Sequence, residues 1–174
     1  EDGRAITAAK ALIAVGRTPN TAGLQAEKAG CRLNRLGFVE VDACLEAAPG
    51  IHAVGDVNGL TLLAHAAEHQ AAYVARRICG TEHGSYNPGP VPSCIYGSVE
   101  LMRAGATARE LLEKGIPVEV SRVPLSLNPI AQAYAATAGM VKAVWSDGRL
   151  VGMAAVGHGV SHLITVAQLL IKDG

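Results

Sequence analysis

Asp56 is the side chain whose neighbours best equip it for chemistry. The segment Ile51-His52-Ala53-Val54-Gly55 reads as an apolar strand, Asp56 follows its carboxyl end, and a helical pattern opens at Leu62. In open α/β sheets, ligands occupy the crevice beyond the carboxyl ends of the strands. Gly55 lets a ligand approach the backbone, and an ionised Asp56 accepts charge-assisted hydrogen bonds from ribose-like or ribityl hydroxyls. The backbone amides of Leu63, Ala64 and His65 stand at the positive end of the helix and suit an anionic or electron-rich ligand. Taken alone, an aspartate here serves equally well as a turn or helix cap.

Other reactive side chains carry weaker signals. His65 and His69, and again His158 and His162, are spaced four apart. Such pairs place two imidazoles on one helical face, but zinc takes at least three protein ligands and no third is evident. Gly157 and Gly159 also argue against helix at His158. No metal site is expected. Cys31, Cys44, Cys79 and Cys94 form no C-x-x-C pair and read as reduced structural thiols, which suits a cytoplasmic protein. Trp145, beside the Asp147-Gly148 turn, is expected to pack across strands.

The elements that must position these groups fall into two blocks. Ala5 to Thr7 and Ala11 to Val15 read as short strands, ended by Gly16-Arg17-Thr18-Pro19-Asn20. Phe38 to Val41 alternates as a half-buried strand, and Ile51 to Gly55 has the continuous apolar character of a covered parallel strand. From Leu62 to Cys79 the positions Leu62, Leu63, Ala66, Ala67, Val74 and Ile78 form an apolar stripe, with Gly80 placed for a left-handed cap. Residues 84–92 hold two Gly and three Pro and mark a linker. Beyond it come a strand at Ser93 to Tyr96, a helix at Thr107 to Lys114, a strand at Val118 to Pro124, a hairpin from Met140 to Val156, and a helix from Ser161 to Ile171.

Composition narrows the partners. The 174 residues are 49% hydrophobic, and fifteen basic groups balance fifteen acidic ones. With no long run of either sign, neither a nucleic-acid nor a membrane surface is expected. The longest apolar stretch, Leu163 to Ile171, is far short of the roughly 20 residues that span a bilayer. The first residues are no signal peptide, and both ends read as cut, so a piece of a longer protein is expected.

Three blocks carry a resemblance. Ala14-Val15-Gly16-Arg17-Thr18-Pro19-Asn20, Pro49-Gly50-Ile51-His52-Ala53-Val54-Gly55-Asp56-Val57 and Leu62-Leu63-Ala64-His65-Ala66-Ala67 resemble, in order and spacing, successive motifs of the pyridine nucleotide-disulfide oxidoreductases. The similarity continues through Val91 to Tyr96, Ser126-Leu127-Asn128, the hairpin from Gly139 and Ser161-His162-Leu163-Ile164. The resemblance implies an α/β remnant of a FAD/NAD(P)-binding domain followed by an α+β dimerisation domain. Residues 1–15 would end the NAD-binding domain, 16–85 would complete the FAD-binding domain, and 86–174 would form a dimerisation domain truncated at its carboxyl end.

By the same resemblance Asp56 binds the ribityl chain of FAD, Leu62, Leu63, Ala64 and His65 lie beside the flavin ring, and Gly16 and Arg17 lie near the NAD nicotinamide. A homodimer is implied, and docking to a lipoyl-bearing multienzyme complex follows if the nearest branch is the dihydrolipoamide dehydrogenases. Glutathione and mercuric reductases share the same blocks, and a stand-alone dimerisation module is the alternative from another class. The chain has no G-x-G-x-x-G, no C-x-x-x-x-C and no His-Pro segment, so no catalytic residue is assigned. It also departs from the family pattern at Gly97-Ser98-Val99, Pro129-Ile130, His162 and Ala66, which bears on the substrate more than on the fold.

Overall fold

The computed structural model describes residues 5–173. They divide into two compact units, one ending at Ser85 and the other beginning at Tyr86.

In the first unit, little of the expected sheet forms. Residues 5–15 adopt no strand, and Ile6, Leu12, Ile13 and Val15 are each more than 80% exposed. A strand's N–H and C=O groups need a neighbouring ladder, and no described residue offers one here. Phe38 to Val41 is likewise reduced to one antiparallel bridge, Leu33 to Val39.

The expected parallel strand at 51–55 is also corrected. Strand β1 (Glu46–Ala48) pairs antiparallel with the two-residue β2 (Ile51–His52) across the Pro49-Gly50 turn. Gly50 takes φ 76°, and its N–H donates to Glu46 Oε1 at 2.7 Å. With no second strand to pair it in parallel, the segment turns away after His52 into a 3-10 turn at Gly55–Asn58.

Helix α1 (Ala64–Ile78) is the backbone of this unit. Ala66, Gln70, Tyr73 and Val74 are buried, the spacing of one helical face. Ile78, expected on that stripe, is 72% exposed. Gly80 stops the helix at φ 72°: its N–H reaches Arg77 O at 3.0 Å and the Thr81 N–H reaches Arg76 O at 2.9 Å, a Schellman cap. The Tyr73 hydroxyl donates to Gly84 O at 2.6 Å and ties the helix to the chain beyond that cap. A small core of Cys31, Val39, Ala48 and Ala53 lies beneath the β1–β2 hairpin.

The second unit is a five-stranded antiparallel sheet in the order β3-β4-β7-β6-β5. Its strands are β3 (Ser93–Ile95), β4 (Glu100–Gly105), β5 (Glu119–Pro124), β6 (Gly139–Ser146) and β7 (Arg149–Gly157). Strand β4 and the short helix α3 (Pro129–Ala133) were not anticipated, and the closing helix expected from Ser161 begins at Ile164 behind a 3-10 turn at Val160–Leu163; the expected strands and the helix after β4 lie within a residue or so of their places. The β6–β7 turn works because Asp147 and Gly148 both take positive φ, 49° and 76°, the type I′ geometry that follows strand twist.

Helix α2 (Ala108–Glu113) follows β4, and α4 (Ile164–Asp173) closes the unit. Helix α4 packs on β4 and β7. Between them Met102, Ala104, Leu125, Ala155, Val160 and Ala167 form the core. Alternation explains the choice, since Met102 and Ala104 share one face of β4 and Met102 sits opposite Ala155. Small residues at Ala104, Ala155 and Ala167 bring helix and sheet close, which a larger side chain at the fully buried Ala104 would prevent.

Candidate functional site

The turn Gly55–Asn58 carries Asp56, and its geometry begins with Gly55. This residue has φ 77°, and a Cβ there would lie 3.2 Å from the Ala67 Cβ of α1. Any side chain would be strained by the left-handed backbone and crowded by the helix, so glycine fits both demands. The backbone of the turn therefore lies against the first turns of α1.

Asp56 is presented outward, its side chain half exposed. Its Oδ2 accepts a hydrogen bond from Arg17 Nη1 at 2.8 Å. Two residues assigned to different cofactors, Arg17 and Asp56, thus meet directly. The pair is solvent-facing on both sides, at 67% and 50% exposure, so it stabilises by at most about 1 kcal/mol. A ligand hydroxyl can share or displace the guanidinium at little cost. Gly16, adjacent to Arg17, has φ 141° and open space around its Cα.

Leu62 and Leu63 lead into α1, and Leu63, in extended backbone, is the N-cap. Leucine has no side-chain acceptor, and no side-chain cap is formed there. The helix's own ladder begins with Ala67 N–H to Leu63 O at 3.0 Å. The amides ahead of it carry the positive end of a 15-residue helix, with Ala64 and His65 in its exposed first turn. An outward carboxylate, a glycine without bulk and an uncapped helix start fit a ligand bearing both hydroxyl donors and an electron-rich ring.

Two residues of this region were missed from the sequence. Gln70 is 1% exposed and Asn58 6%, and both bond to the turn. Gln70 Oε1 accepts from the Gly55 N–H at 2.7 Å and from Asn58 Nδ2 at 2.8 Å. The available signal was position: Gln70 lies four residues from both Ala66 and Val74, on the buried stripe of α1. A polar side chain on such a stripe must find partners.

The histidine pairs are not brought into a cluster: among the described residues, no three His, Cys, Asp or Glu side chains converge to hold a metal. The four cysteines are free thiols, with Cys31 buried and Cys79 exposed. Trp145 lies on β6 and donates from Nε1 to Ser121 Oγ on β5 at 3.1 Å.

Comparison places this arrangement, a glycine–aspartate turn held against a helix and followed in sequence by an antiparallel sheet unit, among flavoprotein oxidoreductases: the chain belongs to the pyridine nucleotide-disulphide oxidoreductase family. Residues 1–71 match the family's "Pyridine nucleotide-disulphide oxidoreductase" model and residues 91–174 its dimerisation domain. The family uses FAD and NAD(P).

Among curated relatives, dihydrolipoyl dehydrogenase of Buchnera aphidicola subsp. Schizaphis graminum is 36% identical over 166 residues, covering 94% of this chain and 35% of that protein. The Thermus scotoductus dihydrolipoyl dehydrogenase is 35% identical over 95% of this chain and 36% of its own. The chain thus spans about a third of their length. Among solved structures, the HOCl-induced flavoprotein disulfide reductase RclA from Escherichia coli aligns with a TM-score of 0.80 at 27% identity, over 92% of this chain and 38% of that one. LpdA from Mycobacterium tuberculosis aligns at 0.79 and 26% identity, over 90% of this chain and 35% of that one.

Proposed function

We propose that this chain supplies the later part of the FAD site and the dimerisation unit of a dithiol–disulfide oxidoreductase, with dihydrolipoamide dehydrogenase the leading assignment. The observation that carries the reading is the Gly55-Asp56 turn seated at the uncapped start of α1, which offers an outward carboxylate beside the positive end of a helix. The curated relatives favour the dihydrolipoyl branch over glutathione or mercuric reductase.

In the reaction a dithiol loses two electrons and two protons to become a disulfide, NAD⁺ takes a hydride, and the second proton goes to solvent. FAD, when bound, relays the electron pair. The residues of this chain hold and orient it. The Asp56 carboxylate accepts a hydrogen bond from a ribityl hydroxyl. Gly55 keeps the backbone low enough for the ligand to approach. Leu62, Leu63, Ala64 and His65 would border the ring system, and the positive end of the α1 dipole would suit an electron-rich ligand there. Arg17, with Gly16, lies on the nicotinamide side, and its guanidinium donates a hydrogen bond that helps to orient Asp56.

The second unit provides self-association. On α4, Val166, Leu169 and Leu170 are each more than half exposed, and their spacing puts them on one helical face. An apolar stripe of this kind is what a twofold partner buries. The free thiols are read as those of a cytoplasmic protein, and docking to a lipoyl-bearing complex goes with the dihydrolipoyl assignment.

The test is turnover by the protein that carries this chain. With FAD bound, reduction of NAD⁺ by dihydrolipoamide is expected to exceed NAD(P)H-dependent reduction of glutathione disulfide or Hg²⁺ by orders of magnitude. The reverse preference would move the assignment to another branch, and flavin binding without any dithiol or disulfide turnover would contradict it.

A further inference from the structure

We infer that Gln70 is the positioning residue of the flavin-facing aspartate, acting through the backbone of the Gly55–Asn58 turn. This rests on the reading of Asp56 given above. Gln70 does not touch Asp56. Its side-chain oxygen, buried within α1, accepts two hydrogen bonds at once: from the Gly55 N–H at 2.7 Å, immediately before Asp56, and from Asn58 Nδ2 at 2.8 Å, two residues after it. Asn58 Nδ2 is also 3.0 Å from Ala53 O, and Asn58 Oδ1 accepts the Leu60 N–H at 3.0 Å. One amide oxygen therefore ties down both flanks of the aspartate, and the asparagine extends that tie to the chain entering and leaving the turn.

The turn needs such an anchor. It contains only four residues, its backbone is tied to another segment through the Val39 N–H bond to Val57 O at 2.9 Å, three residues after Val54, and it starts from a left-handed Gly55 that is free to adopt other conformations. A half-exposed carboxylate on a loose turn would sample many orientations, whereas a preorganised one loses less entropy when it meets a ligand hydroxyl. The network is buried, so removing its acceptor leaves the Gly55 N–H without that partner and takes from the Asn58 amide one of its two bonds, the other going to Ala53 O. Placing the anchor on the fifteen-residue α1 also couples both halves of the site, since the helix that presents its amino end to the ligand also fixes the carboxylate.

The experiment is a double-mutant cycle on FAD affinity. The protein that carries this chain is stripped of flavin and titrated with FAD, following quenching of flavin fluorescence at a temperature well below the melting of every variant. Gln70→Met keeps length and volume but removes the acceptor, and is expected to weaken FAD by about tenfold or more. Gln70→Glu retains an acceptor for both N–H groups and is expected to restore affinity to within about threefold of wild type. In an Asp56→Ala background, Gln70→Met should add no more than about twofold, because its effect passes through the aspartate.

Should Gln70→Met not fold, Asn58→Ala, which cuts the second tie while leaving Gln70 in place, is expected to weaken FAD several-fold and to show the same dependence on Asp56. Wild-type affinity in Gln70→Met beside a weakened Asp56→Ala overturns the positioning role alone, as does a full, additive loss in the double variant. Wild-type affinity in Asp56→Ala overturns the flavin reading and this inference with it.

Discussion

Single carboxylates carry much of the local order in this chain, and each does so by accepting backbone N–H groups. Asp42 accepts from Glu46 and Cys44, which holds its carboxyl below the ordinary range and supports Leu45, buried at φ 60°, in a left-handed conformation leucine rarely adopts. Glu100 is the clearest case. The Ser161 N–H donates to its Oε2 at 2.9 Å, and this bond, then the Ser161 side chain, then the positive character of His162 and His158, lower its pKa. Because the folded pKa is the lower one, the stabilisation is fully present above the ordinary glutamate value and is lost as pH falls through the folded value. The stability gap between wild type and Glu100→Gln is therefore expected to be constant near neutral pH and to close as urea melts are taken below about pH 4. A gap that persists in strong acid would contradict this. At this scale Asp56 was legible from its glycine, the strand before it and the helix after it. Gln70 and Asn58 were not, because their roles lie in bonds between segments 12 and 15 residues apart that no local pattern displays.

At the scale of elements, turn chemistry and capping were the most readable features. Asp147-Gly148, Gly80 and the Thr107 helix start all fall where their residue types demand. Thr107 heads a complete capping box: its hydroxyl accepts from Glu110 N at 3.1 Å, and Glu110 Oε2 accepts from Thr107 N at 2.7 Å. Glu110 also holds Arg103 of β4 at 2.7 Å, so the box fastens the helix to the sheet. Thr107→Ala is expected to lower unfolding free energy by about 1 kcal/mol, measured by urea titration. Gly152 is subject to packing instead: a Cβ there would run into the carbonyl of Ala106, beside the irregular register where β6 passes Val144 and Trp145. Gly152→Ala is expected to cost about 1–3 kcal/mol by the same titration. The failures belong to strands whose pairing is not local. Residues 5–15 and Phe38 to Val41 have strand composition, yet composition cannot supply a neighbour, and without one they remain extended or make a single bridge. Strand β4 was missed because its start breaks the alternation, with Glu100 on the face of Met102 and Ala104 and the apolar Leu101 on the outward face, although Met102 and Ala104 lie deep in the core.

For the whole molecule, the family and the two-unit plan were legible because their motifs are contiguous: the Gly-Asp block, the helix start and the hairpin each fit within about twenty residues. What the surface does is less apparent in sequence, since exposure emerges only from packing. The α4 stripe of Val166, Leu169 and Leu170 illustrates this; Ala167 between them is fully buried against the sheet while they face outward. Leu169→Arg together with Val166→Glu is expected to convert a dimer to monomer in sedimentation velocity while leaving the far-ultraviolet circular dichroism unchanged. A dimer that survives both changes would place the interface elsewhere. The second unit carries the larger sheet and the first carries the proposed flavin contacts, of which Asp56 is the one charged side chain expected to bond the ligand. The most direct test of that contact is the FAD dissociation constant of the protein carrying this chain, measured for wild type and Asp56→Ala. Loss of a charge-assisted hydrogen bond worth about 1.5–3 kcal/mol predicts weakening by roughly tenfold to a hundredfold. An unchanged dissociation constant would contradict the account.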